Sequence, residues 1–244
     1  MIPTLDEQGG AMAEWWEDFF DEAYVTTWAE DAAFDQTAED AAHLVELLGL
    51  PAGATILDAP CGFGRFSGPL HAAGHDVTGL DFSEIQIRMA EERNPGPAYV
   101  VGDMREPPAG PFDAVLNLYS SFGYFEDPAA DRACLTAWHD VLRPGGQLVI
   151  ETMHRDRLAW FHGQEMDPGS RLERIETDWI GGTNTSTVNL DGEERSFTFR
   201  LYTATDFLHM LTDAGFTDIE MFGGLDRRPL EPSTRLTIRA RRLG

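Results

Sequence analysis

Apolar residues in this chain fall into short continuous runs separated by stretches of helical period. Runs such as Ile56-Leu57, Val77 to Leu80 and Ala114 to Leu118 read as buried strands. The pattern predicts a helix over 11–28, with Trp15, Trp16, Phe19 and Phe20 on its apolar side, and a second over 37–49, closed by Gly49 and Pro51. It then predicts strand 55–58, helix 66–73, strand 76–80, helix 83–93 and strands 98–101 and 112–118. Helix 128–142 stops at Arg143-Pro144-Gly145-Gly146, and strand 147–151 follows. Such alternation implies an α/β fold: a mainly parallel sheet with helices on both faces. After residue 155 the period changes to two. Residues 171–180, 184–190 and 195–202 alternate around the turn signals Gly181-Gly182 and Asp191-Gly192, which predicts a small antiparallel β insertion covering one end of the sheet. Helix 204–214 and strands near 217–222 and 234–241 end the chain.

One domain over 1–244 is therefore expected: an N-terminal helical lid (1–36), a core (37–154), the insertion (155–202) and a segment completing the sheet (203–244). The formal charge of −24 repels nucleic-acid phosphates and anionic lipid, so neither a nucleic acid nor a membrane is expected as partner. Every basic residue is arginine, and none precedes Arg65. An acidic N-terminal segment would attract a cationic amine; a merely solvated acidic surface is the alternative. The two cysteines, Cys61 and Cys134, make no disulfide framework and no zinc spacing, so a reducing cytoplasm is expected, with no metal. No secretory leader or membrane span is expected from the N-terminal composition. A homo-oligomer is left open.

Four segments carry candidate chemistry. In Ile56-Leu57-Asp58-Ala59-Pro60-Cys61-Gly62-Phe63-Gly64-Arg65 a buried strand runs into a turn whose glycines let a ligand approach the backbone. Asp58 at the start of that turn would repel a pyrophosphate, and Ser67 stands where a dinucleotide fingerprint needs its third glycine. Asp81, ending Val77-Thr78-Gly79-Leu80-Asp81-Phe82-Ser83, suits a ribose diol, or serves only to cap the next helix with Ser83. In Gly102-Asp103-Met104, Asp103 can accept from an adenine amino group and Met104 can cover the ring, or Asp103 is a turn residue. The strand Phe112 to Leu118 then opens into Tyr119-Ser120-Ser121-Phe122-Gly123-Tyr124, at the carboxyl end of the sheet where ligands of such folds bind; these aromatics could equally pack on the lid.

This ordered set, with Leu142-Arg143-Pro144-Gly145-Gly146, resembles the class I S-adenosylmethionine-dependent methyltransferases over roughly residues 40–152. The tail from Arg200 to Phe216 is similar to small-molecule members, among them glycine, aminosugar and antibiotic-tailoring N-methyltransferases. The resemblance implies a Rossmann-like seven-stranded sheet and S-adenosylmethionine as cofactor. It implies that Asp58, Pro60, Gly62 and Gly64 hold the methionine part, Asp81 the ribose, Asp103 and Met104 the adenine, with Phe82 a further cofactor contact and Asn117 under the methionine or the sulfonium. Pro60 departs from the glycine common there and removes one backbone donor.

Methyl transfer from a sulfonium is an in-line displacement in which alignment supplies much of the rate, and aromatic rings and oxygen atoms suit the sulfonium. Tyr24 is the candidate for both cofactor contact and catalysis, and His154 for a general base. Trp16, Trp28, Tyr119, Phe122 and Tyr124 are candidates for the acceptor site; core packing is the plain alternative for the aromatics, and a surface or lid position the alternative for His154. The expected function is methyl transfer to a small molecule, with an amine nitrogen ahead of a hydroxyl oxygen, in natural-product tailoring such as antibiotic biosynthesis. A nicotinamide-dependent oxidoreductase and a non-catalytic cofactor-binding module are the other readings.

Overall fold

The computed structural model describes residues 16, 19–22, 24, 36–161, 172–190 and 192–244. Helix α1 (Thr37–Leu48) ends where Gly49 turns left-handed (φ 58°) and returns its amide to the Val45 carbonyl. There follow β1 (Thr55–Asp58), α2 (Ser67–Ala72), β2 (Asp76–Asp81), α3 (Glu84–Arg93), β3 (Ala98–Val101), β4 (Phe112–Asn117), α4 (Pro128–Val141) and β5 (Leu142–Thr152). The helix starts have local causes. Ser83 accepts the Gln86 amide ahead of α3, and Asp127 accepts the Ala129 amide ahead of α4, whose first residue is Pro128.

After α5 (Arg155–Phe161) come β6 (Leu172–Asp178), β7 (Thr183–Leu190) and β8 (Glu193–Arg200), an antiparallel three-stranded sheet in that order. Helix α6 (Ala204–Asp213) opens on a capping box between Thr203 and Asp206. It leads to β9 (Phe216–Phe222) and β10 (Leu236–Arg242). The main sheet has seven strands in the order β3-β2-β1-β4-β5-β10-β9. Strands β1 to β5 run parallel, and β10 is antiparallel to both its neighbours.

Alternate residues of the central strands feed two cores on opposite faces. Ile56, Ala114, Leu116 and Val149 pack with Leu44 and Leu47 of α1 and Leu70 of α2. Leu57, Val115, Leu148 and Ile150 pack with Leu135 and Trp138 of α4 and Phe207 and Leu211 of α6. Each such fully buried leucine is worth about 1.5–3 kcal/mol over exposure, so the sheet is clamped from both sides and its carboxyl edge is a rigid platform.

The expected α/β architecture and antiparallel insertion are present, with local differences. Strand β5 begins at Leu142, not 147. Phe112 pairs with Leu142 and Ala114 with Gln147, so Arg143–Gly146 is absorbed as an irregularity inside the strand. Helix α5 lies where only a break in pattern was expected. Of the segment expected to be helical over 11–28, Trp16, Phe19, Glu22 and Tyr24 are helical; Trp15 and Trp28 lie outside the described residues.

Candidate functional site

The carboxyl ends of β1, β2 and β4 and the loops that leave them open a cleft of about 1050 Å³, part of it continuous with solvent. Asp58 ends β1 there, 2% exposed, with its Oδ2 accepting the Ser67 hydroxyl at 2.6 Å. The turn that follows folds back because Gly62 adopts φ 55°, and its amide donates to Asp81 Oδ2 at 2.8 Å. Asp81 Oδ1 accepts the Ser83 amide at 3.0 Å. Burial pushes the Asp58 carboxyl up to about 7, against the Ser67 hydrogen bond and helped by the Asp81 charge. Burial likewise pushes Asp81 up to about 6, against the backbone amides of Ser83, Gly62 and Phe82. Two buried carboxylates therefore face one cleft, and the hydrogen-bond partners of both are a hydroxyl and amides.

The loop after β3 forms the next wall. Gly102 donates its amide to the Asp81 carbonyl at 2.8 Å, and the Met104 carbonyl accepts the Trp138 indole N–H at 2.9 Å. Asp103 takes the backbone amide and guanidinium of Arg105. Beneath this wall, Asn117 is fully buried and donates through Nδ2 to the Ala59 carbonyl at 2.9 Å and toward Met104 Sδ at 3.7 Å.

Aromatic rings close the cleft. Trp16, Phe20 and Tyr24 come from the N-terminal segment, and Tyr119, Tyr124 and Phe125 from the loop after β4. Trp16 meets Phe125 edge-on at 5.1 Å; Phe20 meets Tyr24 edge-on at 4.8 Å and stacks near Tyr124 at 5.9 Å. Burial raises the phenols of Tyr24 and Tyr124 far above their ordinary value, so both keep their protons at neutral pH. The N-terminal segment is held from behind by the small sheet. Phe19 contacts Phe197 at 5.1 Å and packs on Val188, and Asp21 pairs with Arg195 at 2.6 Å.

Trp16, Tyr24, Asp58, Pro60, Gly62, Asp81, Phe82, Asp103, Met104, Tyr119 and Tyr124 thus line one cleft. Others of the expected set stand elsewhere. Gly64 (φ 78°) faces away: a Cβ there would lie 2.5 Å from the Tyr99 hydroxyl, so its role is close packing of the turn on β3. Asn117 lies under the wall. Phe122 is 2% exposed and sits among Trp138, Tyr202 and Phe207, a core residue and not an acceptor contact. His154 does not point into the cleft. It is buried, its Nε2 stands 3.0 Å from the Thr234 carbonyl, and burial lowers its pKa below the ordinary imidazole value. Trp28 lies outside the described residues. Residues that sequence reasoning passed over also line the cleft: Phe20, Phe63, Arg65, Phe66 and Gln86. Arg65 had a signal, its place directly after the glycine turn. Its guanidinium donates to Thr37 Oγ1 and lies 4.2 Å from the Tyr119 ring.

Among the described residues no three His, Cys, Asp or Glu side chains are placed to hold a metal ion, and no helix is long and apolar enough to cross a membrane.

Comparison with known proteins agrees with this geometry. The methyltransferase domain family matches residues 56–146. Over 115 residues the chain is 33% identical to the dTDP-3-amino-3,4,6-trideoxy-alpha-D-glucopyranose N,N-dimethyltransferase of Streptomyces venezuelae, covering 47% of this chain and 48% of that one. Over 139 residues it is 30% identical to the malonyl-[acyl-carrier protein] O-methyltransferase of Pectobacterium atrosepticum, covering 54% and 53%. The chain spans about half the length of these curated relatives. The CcbJ methyltransferase of Streptomyces caelestis shares the fold, with a TM-score of 0.75 and 17% identity over 92% of this chain and 98% of that one.

The donor set fits the cofactor of such domains. A cleft that buries two carboxylates rejects a pyrophosphate and welcomes a cationic sulfonium, an amino group and a ribose diol. Residues 56–146 therefore resemble a methyltransferase domain, and the strands and turns of that segment build most of the cleft. The chain's relatives by sequence include methyltransferases acting at nitrogen and at oxygen.

Proposed function

We propose that this protein transfers a methyl group from S-adenosylmethionine to the nitrogen of a small-molecule amine. The observation that carries the reading is the pair of buried carboxylates, Asp58 and Asp81, facing one aromatic-walled cleft. When bound, S-adenosylmethionine supplies an activated methyl group on a sulfonium. In this reading Asp81 accepts the two ribose hydroxyls, and the Asp58–Gly62 turn holds the methionine amino group. Asp103 and Met104 take the adenine. Asn117 is a positioning residue that fixes the Ala59 carbonyl and the Met104 side chain. Trp16, Phe20, Tyr24 and Tyr124 exclude water and present ring faces and protonated phenols to the sulfonium.

Nitrogen stands ahead of oxygen because a neutral amine needs no base in the transfer step, whereas a hydroxyl usually does. The phenols of Tyr24 and Tyr124 hold their protons, and His154 points elsewhere. The N-terminal segment acts as a lid over the cofactor, and its acidic character favours a cationic acceptor arriving from solution, which gives up one proton to water before its nitrogen lone pair attacks the methyl group. Natural-product tailoring is the biological setting we favour, on the likeness to the Streptomyces venezuelae aminosugar enzyme. Two buried free thiols suit a reducing compartment such as cytoplasm.

Calorimetry with S-adenosylmethionine, and with NADH as control, tests the cofactor. Micromolar binding of the first and none of the second is expected. Binding of NADH in its place would overturn the reading. Transfer of labelled methyl onto matched amine and alcohol acceptors then decides the nucleophile.

A further inference from the structure

A second cavity, of about 1170 Å³ with part of that space open to solvent, adjoins the cofactor cleft, and Phe66 and Tyr119 line both. It lies at the carboxyl end of β5 and against the β9–β10 loop, on the same edge of the sheet. Its wall differs in kind from the aromatic cleft. Glu39, Asp40 and Asp226 alternate there with Arg157, Arg228 and Arg235.

The boundary between the two is held rigidly. Two guanidinium groups lie against the Tyr119 ring, that of Arg65 at 4.2 Å and that of Arg235 at 5.0 Å. Tyr119 and Ser120 both adopt left-handed backbone, φ 62° and 68°, which is costly for non-glycine residues and persists only where neighbours over-determine it. They do so here. The Tyr119 amide donates to the Glu151 carboxylate and the Ser120 amide to the Glu151 carbonyl, each at 3.0 Å. Ser120 Oγ accepts the Met153 amide at 2.8 Å and Arg235 at 2.7 Å.

An in-line displacement needs its acceptor across the methyl group from sulfur, in a space that adjoins the cofactor and is separate from it. We infer that the second cavity is the acceptor chamber and that its occupant is a hydrophilic amine with several hydrogen-bonding groups. The inference rests on the methyl-transfer reading above. A wall of interleaved carboxylates and guanidinium groups loses hydration without compensation against an apolar acceptor, whereas hydroxyl and amino groups replace the displaced water. Tyr119, shared by the two spaces, is then a specificity-determining residue at their junction.

The test uses the purified full chain. D-glucosamine is the hydrophilic probe and 2-phenylethylamine the apolar amine, each offered with labelled S-adenosylmethionine. Two variants narrow the chamber from its open side, Glu39→Trp and His43→Trp, one helical turn apart on α1. Neither residue lines the cofactor cleft. Glucosamine is expected to be methylated faster than phenylethylamine. In the variants its KM should rise by about tenfold or more while the S-adenosylmethionine Kd moves by less than about twofold. Thermal melting checks each variant's fold, and either one decides if the other does not fold. Absence of cofactor binding in the wild-type chain sinks the methyl-transfer reading itself. Cofactor binding with equal or faster turnover of phenylethylamine, with methylation of neither probe, or with an unchanged glucosamine KM in the folded variants overturns the chamber.

Discussion

Asp81 and Gly62 are joined by a 2.8 Å hydrogen bond from the Gly62 amide to a carboxylate that also receives the Ser83 amide. This one side chain therefore fixes the glycine turn after β1 to the start of α3. Asp81→Asn puts an N–H group against at least one of those donors. The expected result is a Kd for S-adenosylmethionine raised by about tenfold or more, with a stability loss of about 1–3 kcal/mol. Calorimetry and thermal melting read the two effects separately, and unchanged affinity would remove Asp81 from the site.

The same burial makes the cleft responsive to pH. Asp58 and Asp81 are pushed up to about 7 and about 6, so between about 4 and about 7 the folded chain holds protons that the unfolded chain has released. Stability of the cofactor-free protein should therefore fall as pH rises through that window. A cationic ligand favours the ionised carboxylates, so S-adenosylmethionine should bind more tightly as pH rises over the same range, releasing protons when it binds near pH 6. Uncharged S-adenosylhomocysteine sulfur should show a weaker trend. Melting curves of wild type, Asp58→Asn and Asp81→Asn between pH 5 and 8 measure it. A slope identical in all three would assign the pH response to other groups.

What the sequence made legible is what strand and turn chemistry determine locally. The buried runs expected at 55–58, 76–80 and 112–118 are central strands within a residue of those bounds, and an acidic residue at the carboxyl end of a strand stands at the sheet's carboxyl edge, where Asp58 and Asp81 line one cleft. Loops carry no such period. Phe122 and Tyr124 are two residues apart in one loop, yet Phe122 enters the core beside Trp138 and Tyr124 enters the cleft. Only the tertiary packing of α4 and α6 chooses between them. The direction of His154 is likewise set by Thr234, eighty positions along the chain. Helix α5 was missed because its seven residues are too few to show helical period.

His154 offers a test of that correction. Its ring is buried against the Thr234 carbonyl, away from the cleft, and burial favours its neutral form. His154→Ala should cost stability, about 1–3 kcal/mol for a buried, hydrogen-bonded ring. A lowered imidazole pKa means that the native ring's stability is lost as pH falls through its ordinary value, so the cost should shrink in acid. The pH profile of kcat should not move. A lost acid limb in that profile would restore His154 as a catalytic base.

Phe197 tests how the lid is held. Its ring stands behind Phe19 at 5.1 Å, on β8 of the small sheet, and Phe19 in turn contacts Phe20 and Tyr24, both of which line the cleft. The Asp21–Arg195 pair beside it is partly exposed and contributes little by itself. The apolar contact is expected to contribute more to the attachment than this pair. Phe197→Ala should leave the main sheet intact, because its two cores draw nothing from β8. It should weaken S-adenosylmethionine binding by about three- to tenfold, mainly through faster release, and speed proteolysis within the first 35 residues. Arg195→Ala should do far less. If Phe197→Ala leaves release rates unchanged, the small sheet is not what holds the lid.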